Sequence, residues 1–148
     1  MTNRLLLILH LLGASLWIGG HFVLLAVILP AARRARDPRA VLEFERNFGK
    51  WGMLALVTQI STGALLASPW IGGWGSVLST STPARPLVFT KLALLAVILV
   101  FAAHASRRLL PRLTPDTLGR FAIHAWIVTV LSVALLVFGI GVRMGGLY

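Results

Sequence analysis

Apolar residues gather along this chain into four long runs separated by short polar or basic stretches. The first runs from Leu5 to about Pro30, the second from about Trp51 to Trp70, the third from about Leu87 to Ala105, and the fourth from about Phe121 to Val142. At about 1.5 Å rise per residue, each run can cross a hydrocarbon core of roughly 30 Å, the second and third being nearest the lower limit. The pattern predicts an all-α membrane protein, an antiparallel four-helix transmembrane bundle. It forms one domain over residues 1–148, with spans at about 5–30, 51–70, 87–105 and 121–142. Between the first two spans, Ala40 to Phe48 reads as a short interfacial helix, with Val41, Leu42, Phe44 and Phe48 turned toward lipid or the bundle. Arg4 ahead of an apolar core resembles a signal peptide. Arg33, Arg34, Arg36 and Arg39 follow Pro30 directly, however, and no good cleavage site precedes them, so a retained anchor is expected.

Composition agrees with this class. At 57 % hydrophobic and 12 % charged residues, the chain has too little polar surface for a soluble globule of 148 residues. A net charge of +10 would ordinarily raise nucleic acid as a partner, but ten of the fourteen basic residues lie in two loops. One loop carries Arg33, Arg34, Arg36, Arg39, Arg46 and Lys50; the other carries Arg107, Arg108, Arg112 and Arg120. These are topology signals and contacts for anionic lipids, so the expected partners are membrane lipids and not nucleic acid. The positive-inside rule then puts both basic loops in the cytoplasm and both termini on the outer, periplasmic side, as in a multi-pass protein of the bacterial inner membrane. The outer loop, WIGGWGSVLSTSTPARP, has Trp70 and Trp74 at the interface; it reads either as a cover over an outward-facing site or as an ordinary connector.

The candidate chemistry lies inside the spans. Imidazoles are costly in hydrocarbon and need partners, so His10, His21, His104 and His124 are the main clue, with Lys91 a weaker fifth member. His10 and His21 are 11 residues apart, which returns to within about 20° of one helix face but separates them by about 16 Å along the axis. They cannot share one metal ion. By depth, His10 pairs with Lys91 in an outer layer, whereas His21, His104 and His124 form an inner cluster. Two layers of axial-type ligands on different helices suit two b-type haems, with Gly13, Gly19, Gly20 and Gly63 giving the macrocycles room and Trp17 packing between the layers. The same glycines also permit close helix packing, within one chain or between chains. The histidines can equally hydrogen-bond across helices to Thr58, Gln59, Ser61, Thr62, Thr90 or Thr129.

Copper competes for the same imidazoles. The absence of cysteine excludes disulfides, thiolate metal sites and covalent haem attachment, and the three methionines, Met1, Met53 and Met144, form no Met-x-x-Met ladder. A three-histidine inner copper or zinc site fits the spacing, but it leaves the outer pair unexplained. The spans contain no Asp or Glu, which argues against proton conduction.

The segment HLLGASLWIGGHFVL resembles the first helix of the CopD-like membrane domain family, and TKLALLAVILVFAAHASRRLLPRL resembles its third. The chain is similar also to the small four-helix haem-b protoporphyrinogen oxidases of bacteria and cyanobacteria. That resemblance implies that the oxidases' essential histidine and lysine fall on His10 and Lys91, but their arginine and aromatic-histidine ending to helix 1 is replaced here by VLLAVILPAARRAR. The residues are therefore expected to form a haem-b membrane oxidoreductase or electron-transfer protein, with His10, His21, Lys91, His104 and His124 as ligands and Trp17 beside the cofactor. A quinol, a porphyrinogen or a redox protein is the expected reaction partner, and no catalytic residue stands out. The alternatives are a copper transport or resistance protein of the CopD type and a protoporphyrinogen oxidase.

Overall fold

A computed structural model describes the backbone of residues 2–76 and 85–144 and the side chains of residues 3–75 and 85–140. Four helical rods are long and apolar enough to span a membrane: Asn3–Ala35, Arg39–Ile71, Arg85–Arg112 and Leu118–Ile140. The protein is thus an all-α, four-helix membrane-spanning bundle and a multi-pass membrane protein. The first three rods overrun the apolar runs from which they were expected at both ends, and the fourth starts ahead of its run. The segment from Ala40 to Phe48 is no separate interfacial helix, because it continues without a break into α3, the helix Arg39–Ala67 of the second span. Within it Val41 is fully buried and Leu42 faces outward.

Two prolines shape the basic end. In the first span, helix α1 (Thr2–Val23) passes through a wide π-turn at Leu24–Ile28 into α2 (Leu29–Ala35). Pro30 has no N–H to donate and its ring crowds the preceding turn, so a rod that continues through it must widen just upstream. The Leu29 N–H accordingly reaches back to the carbonyl of Leu24. The third span repeats the device: α4 (Arg85–His104) widens at Ala105–Leu109 immediately before Pro111. The fourth span is α5 (Leu118–Met144).

The first two spans join through a turn of very few residues. Arg36 adopts a left-handed conformation with φ of 52°, and the N–H of Asp37 bonds the carbonyl of Ala32 at 3.0 Å, which closes the last turn of α2. The Asp37 carboxylate accepts from the backbone N–H of Arg39 at 3.0 Å and pairs with its guanidinium at 2.7 Å. That guanidinium holds the Asp37 carboxyl below the usual carboxylate range. At the opposite end, Gly72 ends the second span with φ of 72°, and the Trp74 indole N–H folds back to donate to the carbonyl of Ala64 at 3.1 Å. Much of the outer loop, residues 77–84, lies outside the described residues, and so does the expectation that it covers a site.

The first and second spans pack most extensively, the third and fourth next, and the first also meets the fourth. A tight apolar core sits at the basic end, built from Leu24, Leu25, Leu29 and Ala32 against Val41, Leu113, Leu118 and Phe121. Toward the other end, polar side chains and glycines line the contacts.

Candidate functional site

One hydrogen bond fixes the register between the first and fourth spans. The Trp17 indole N–H donates to Ser132 Oγ at 2.9 Å, and Ser132 in turn donates to the carbonyl of Val128. The two helices run antiparallel, so equal steps from this contact lie at equal depth. His10, seven residues from Trp17, falls level with Gly139, seven residues from Ser132. Lys91 Nζ sits against Gly139, 3.1 Å from where a Cβ on that residue would be. It is also within electrostatic range of His10. The Lys91 ammonium thus reaches the level of His10 and Gly139, with the three residues on three helices.

His10 is oriented by the second span. Thr62, which is buried, donates its single hydroxyl proton to the carbonyl of Thr58 at 2.5 Å, so it accepts from His10 Nδ1–H at 2.8 Å. His10 Nε2 is left with its lone pair. The imidazole ring lies over Gly63, and Gln59 donates through Nε2 to the His10 backbone carbonyl. Of the cross-helix partners considered from the sequence, Thr62 is the one the His10 ring uses.

His21 is fixed differently. Its Nδ1–H donates to the carbonyl of Trp17 one turn earlier at 2.9 Å, and its ring lies 4.7 Å from the Trp17 indole, centroid to centroid. Nε2 again carries the free lone pair. Trp17 does lie between the two layers, where it bridges spans and holds His21.

His104 and His124 come together from the third and fourth spans, with ring centroids 5.7 Å apart. His124 Nε2–H donates to the carbonyl of Phe101 at 2.8 Å, its ring stacks on Phe101, and Nδ1 is left as the donor atom. His104 is exposed at the bundle surface.

The inner three do not form one cluster. The Trp17–Ser132 register puts His21 level with Val128, and His124 lies a further turn, about 6 Å, toward the basic end. Among the described residues, no three His, Asp or Glu side chains are placed to hold one metal ion. The three-histidine copper or zinc site is therefore not formed.

The glycines decide against room for a macrocycle. A Cβ on Gly20 would run into the ring of Phe48; one on Gly13 would lie 3.0 Å from Gln59 Nε2; and one on Gly63 would lie 3.2 Å from His10 Cε1. The neighbouring span fills each of these spaces with its own side chain. Gly19 alone of the first-span glycines meets nothing within 4 Å. Small residues here let helices approach, which is their common use in membranes. Ser132 and Gly139 were missed from the sequence, although polar Ser132 inside an apolar run, with Gly139 two turns away on the same face, was the available signal.

Comparison with known proteins gives one match. The family model described as Copper resistance protein D matches residues 42–144, more than two thirds of the chain. No curated protein and no solved structure matches. The matched stretch holds Lys91, His104 and His124, while His10, Trp17 and His21 precede it. This finding overturns the haem-b reading: two haems, an oxidoreductase or electron-transfer role, and a quinol or porphyrinogen reaction partner find no support, and the glycine spaces explain physically why the residues misled. Nothing found links the chain to the protoporphyrinogen oxidases specifically. The CopD-type alternative is the one supported, and the chain belongs to the CopD family of four-helix membrane proteins.

Proposed function

We propose that this protein handles copper at the membrane, as a transport or resistance factor of the CopD type. The carrying observation is the match of residues 42–144 to that family. Imidazole suits copper as a ligand, and the chain offers no cysteine and only scattered methionines, Met53 being exposed to the surroundings of the bundle. Copper would be cargo, not a resident cofactor. Each of His10, His21 and His124 has one ring nitrogen held by a hydrogen bond and the other left as a donor, the arrangement by which proteins orient metal-binding imidazoles.

The roles follow depth. His10 and Lys91 form the outer donor pair, His21 an intermediate stop held by Trp17, and His104 with His124 the inner pair. Sites of one or two donors bind weakly enough to release the ion onward, as conduction requires. On the positive-inside argument the termini face the periplasm, the basic loops face the cytoplasm, and the whole four-span chain acts as a single domain in the bacterial inner membrane.

The test is copper entry into proteoliposomes that enclose a copper-sensitive dye. Wild-type protein is expected to admit copper faster than empty vesicles, with His10→Ala and His124→Ala each cutting the rate severalfold. Wild-type rates equal to those of empty vesicles, together with unchanged copper tolerance in cells making the protein, would sink the proposal.

A further inference from the structure

The basic end of the bundle holds a cleft of about 600 Å³ between the end of the third span and the start of the fourth. Arg108 and Arg112 line it from the third span and Arg120 from the fourth, all three exposed. Beneath them the lining turns apolar, through Leu109, Leu113 and Phe121, and the last two are buried members of the core.

Among the described residues, no carboxylate pairs with these guanidiniums. The two ion pairs among the described residues are Arg39 with Asp37 and Arg36 with Asp116. Asp116 belongs to the short loop bordering the cleft, yet it is drawn away to Arg36 at 2.8 Å. The same loop is held in shape by Thr117, whose hydroxyl accepts from the Thr114 N–H at 2.8 Å and donates to the Thr114 carbonyl at 3.1 Å. Three like charges thus face one fixed opening.

Depth narrows the ligand. A hydrocarbon core of roughly 30 Å takes about 20 residues of helix, so a third span entering near Leu87 leaves the core near Arg107. Arg108 and Arg112 then stand at the level of lipid headgroups, with the apolar floor just inside.

We propose that this cleft seats the headgroup of an anionic phospholipid, its phosphate on the three guanidiniums and its glycerol and upper acyl chain against Leu109, Leu113 and Phe121. Guanidinium matches phosphate with paired hydrogen bonds, and basic pockets between spans at the cytoplasmic face are where anionic headgroups bind. A free anion would use the rim and leave the apolar floor without a role. His104 of the inner pair also lines the cleft, so the seated lipid lies beside it; the arginines and the apolar floor hold the lipid whether or not copper is the cargo.

The test uses the full chain in nanodiscs of phosphatidylcholine containing a minor fraction of phosphatidylglycerol, with retained lipids counted by native mass spectrometry. Wild type is expected to keep one phosphatidylglycerol, and the triple variant Arg108→Gln, Arg112→Gln, Arg120→Gln to hold it tenfold or more weaker, at roughly fivefold per arginine before screening. A control triple in the other basic loop, Arg33→Gln, Arg34→Gln, Arg46→Gln, should bind as wild type does. Equal loss in both triples, or equal retention of phosphatidylcholine, overturns the proposal. Displacement of the lipid from wild type by millimolar inorganic phosphate overturns it in favour of a free-anion site. Should the cleft triple lose its helical circular dichroism, Arg112→Gln alone is read in the same way: about fivefold weakening supports the site, and no change overturns it.

Discussion

Replacing Thr62 by valine removes one hydroxyl from a buried position and changes almost no volume. In the folded protein that hydroxyl accepts from His10 Nδ1–H at 2.8 Å while its proton is spent on Thr58. Valine leaves the imidazole N–H with no partner in a site 5 % exposed at Thr62, a loss on the order of 1–3 kcal/mol for an unsatisfied buried group. Interhelical hydrogen bonds in membranes average nearer 0.6 kcal/mol, because the alternative state also finds partners, so about 1 kcal/mol of bundle stability is the expected cost. The effect on metal binding should be larger than the effect on stability. The ring is no longer held with Nε2 as its donor, and losing such an orienting partner typically costs roughly 10- to 100-fold in metal affinity. Copper affinity measured in detergent micelles by competition with a coloured chelator reads this directly, and nitrogen NMR of the imidazole reports which ring nitrogen carries the proton. Thr62→Ser keeps a hydroxyl and should restore both. Unchanged copper affinity and an unchanged His10 tautomer in Thr62→Val, or a serine variant no better than valine, would refute the orienting role.

Gly19 and Gly20 are neighbours with opposite expected behaviour. Gly20→Leu drives a side chain into Phe48 and should loosen the first two spans by about 1–3 kcal/mol in thermal unfolding, with Phe48→Ala relieving it, whereas Gly19→Leu should be near neutral. Trp17→Phe removes the indole N–H that ties the first span to Ser132; copper passage should fall more than stability does, and Ser132→Ala should reproduce much of the change. Asp37, whose carboxyl Arg39 holds below the usual range, stabilises the turn above its unfolded pKa. That contribution is lost only as the pH falls through the lowered folded value, so carbon NMR titration should find Asp37 still charged where an ordinary aspartate is half protonated. A normal titration midpoint would remove the Arg39 contact from the account of the turn.

The number of spans and their antiparallel order were legible in the chain itself. These depend on helical rise, bilayer thickness and the placing of charge, which are local or one-dimensional quantities. Where the rods end was not legible, since Pro30 and Pro111 look like stops until a widened turn upstream lets the helix continue. What the small and polar residues do depends on the packed bundle. Gly13 and Gly20 on the first span and Gly63 on the second are compatible with a bound ring or a neighbouring side chain, and the choice depends on how far the two spans are rotated toward each other. Depth to the nearest half-bilayer grouped His21 with His104 and His124, but the Trp17–Ser132 contact offsets the helices by a turn and divides that group. Rotation and axial offset between helices come from side-chain packing across the bundle. No periodicity within one helix records them, which is why the spans could be read in advance and the grouping of the inner histidines could not.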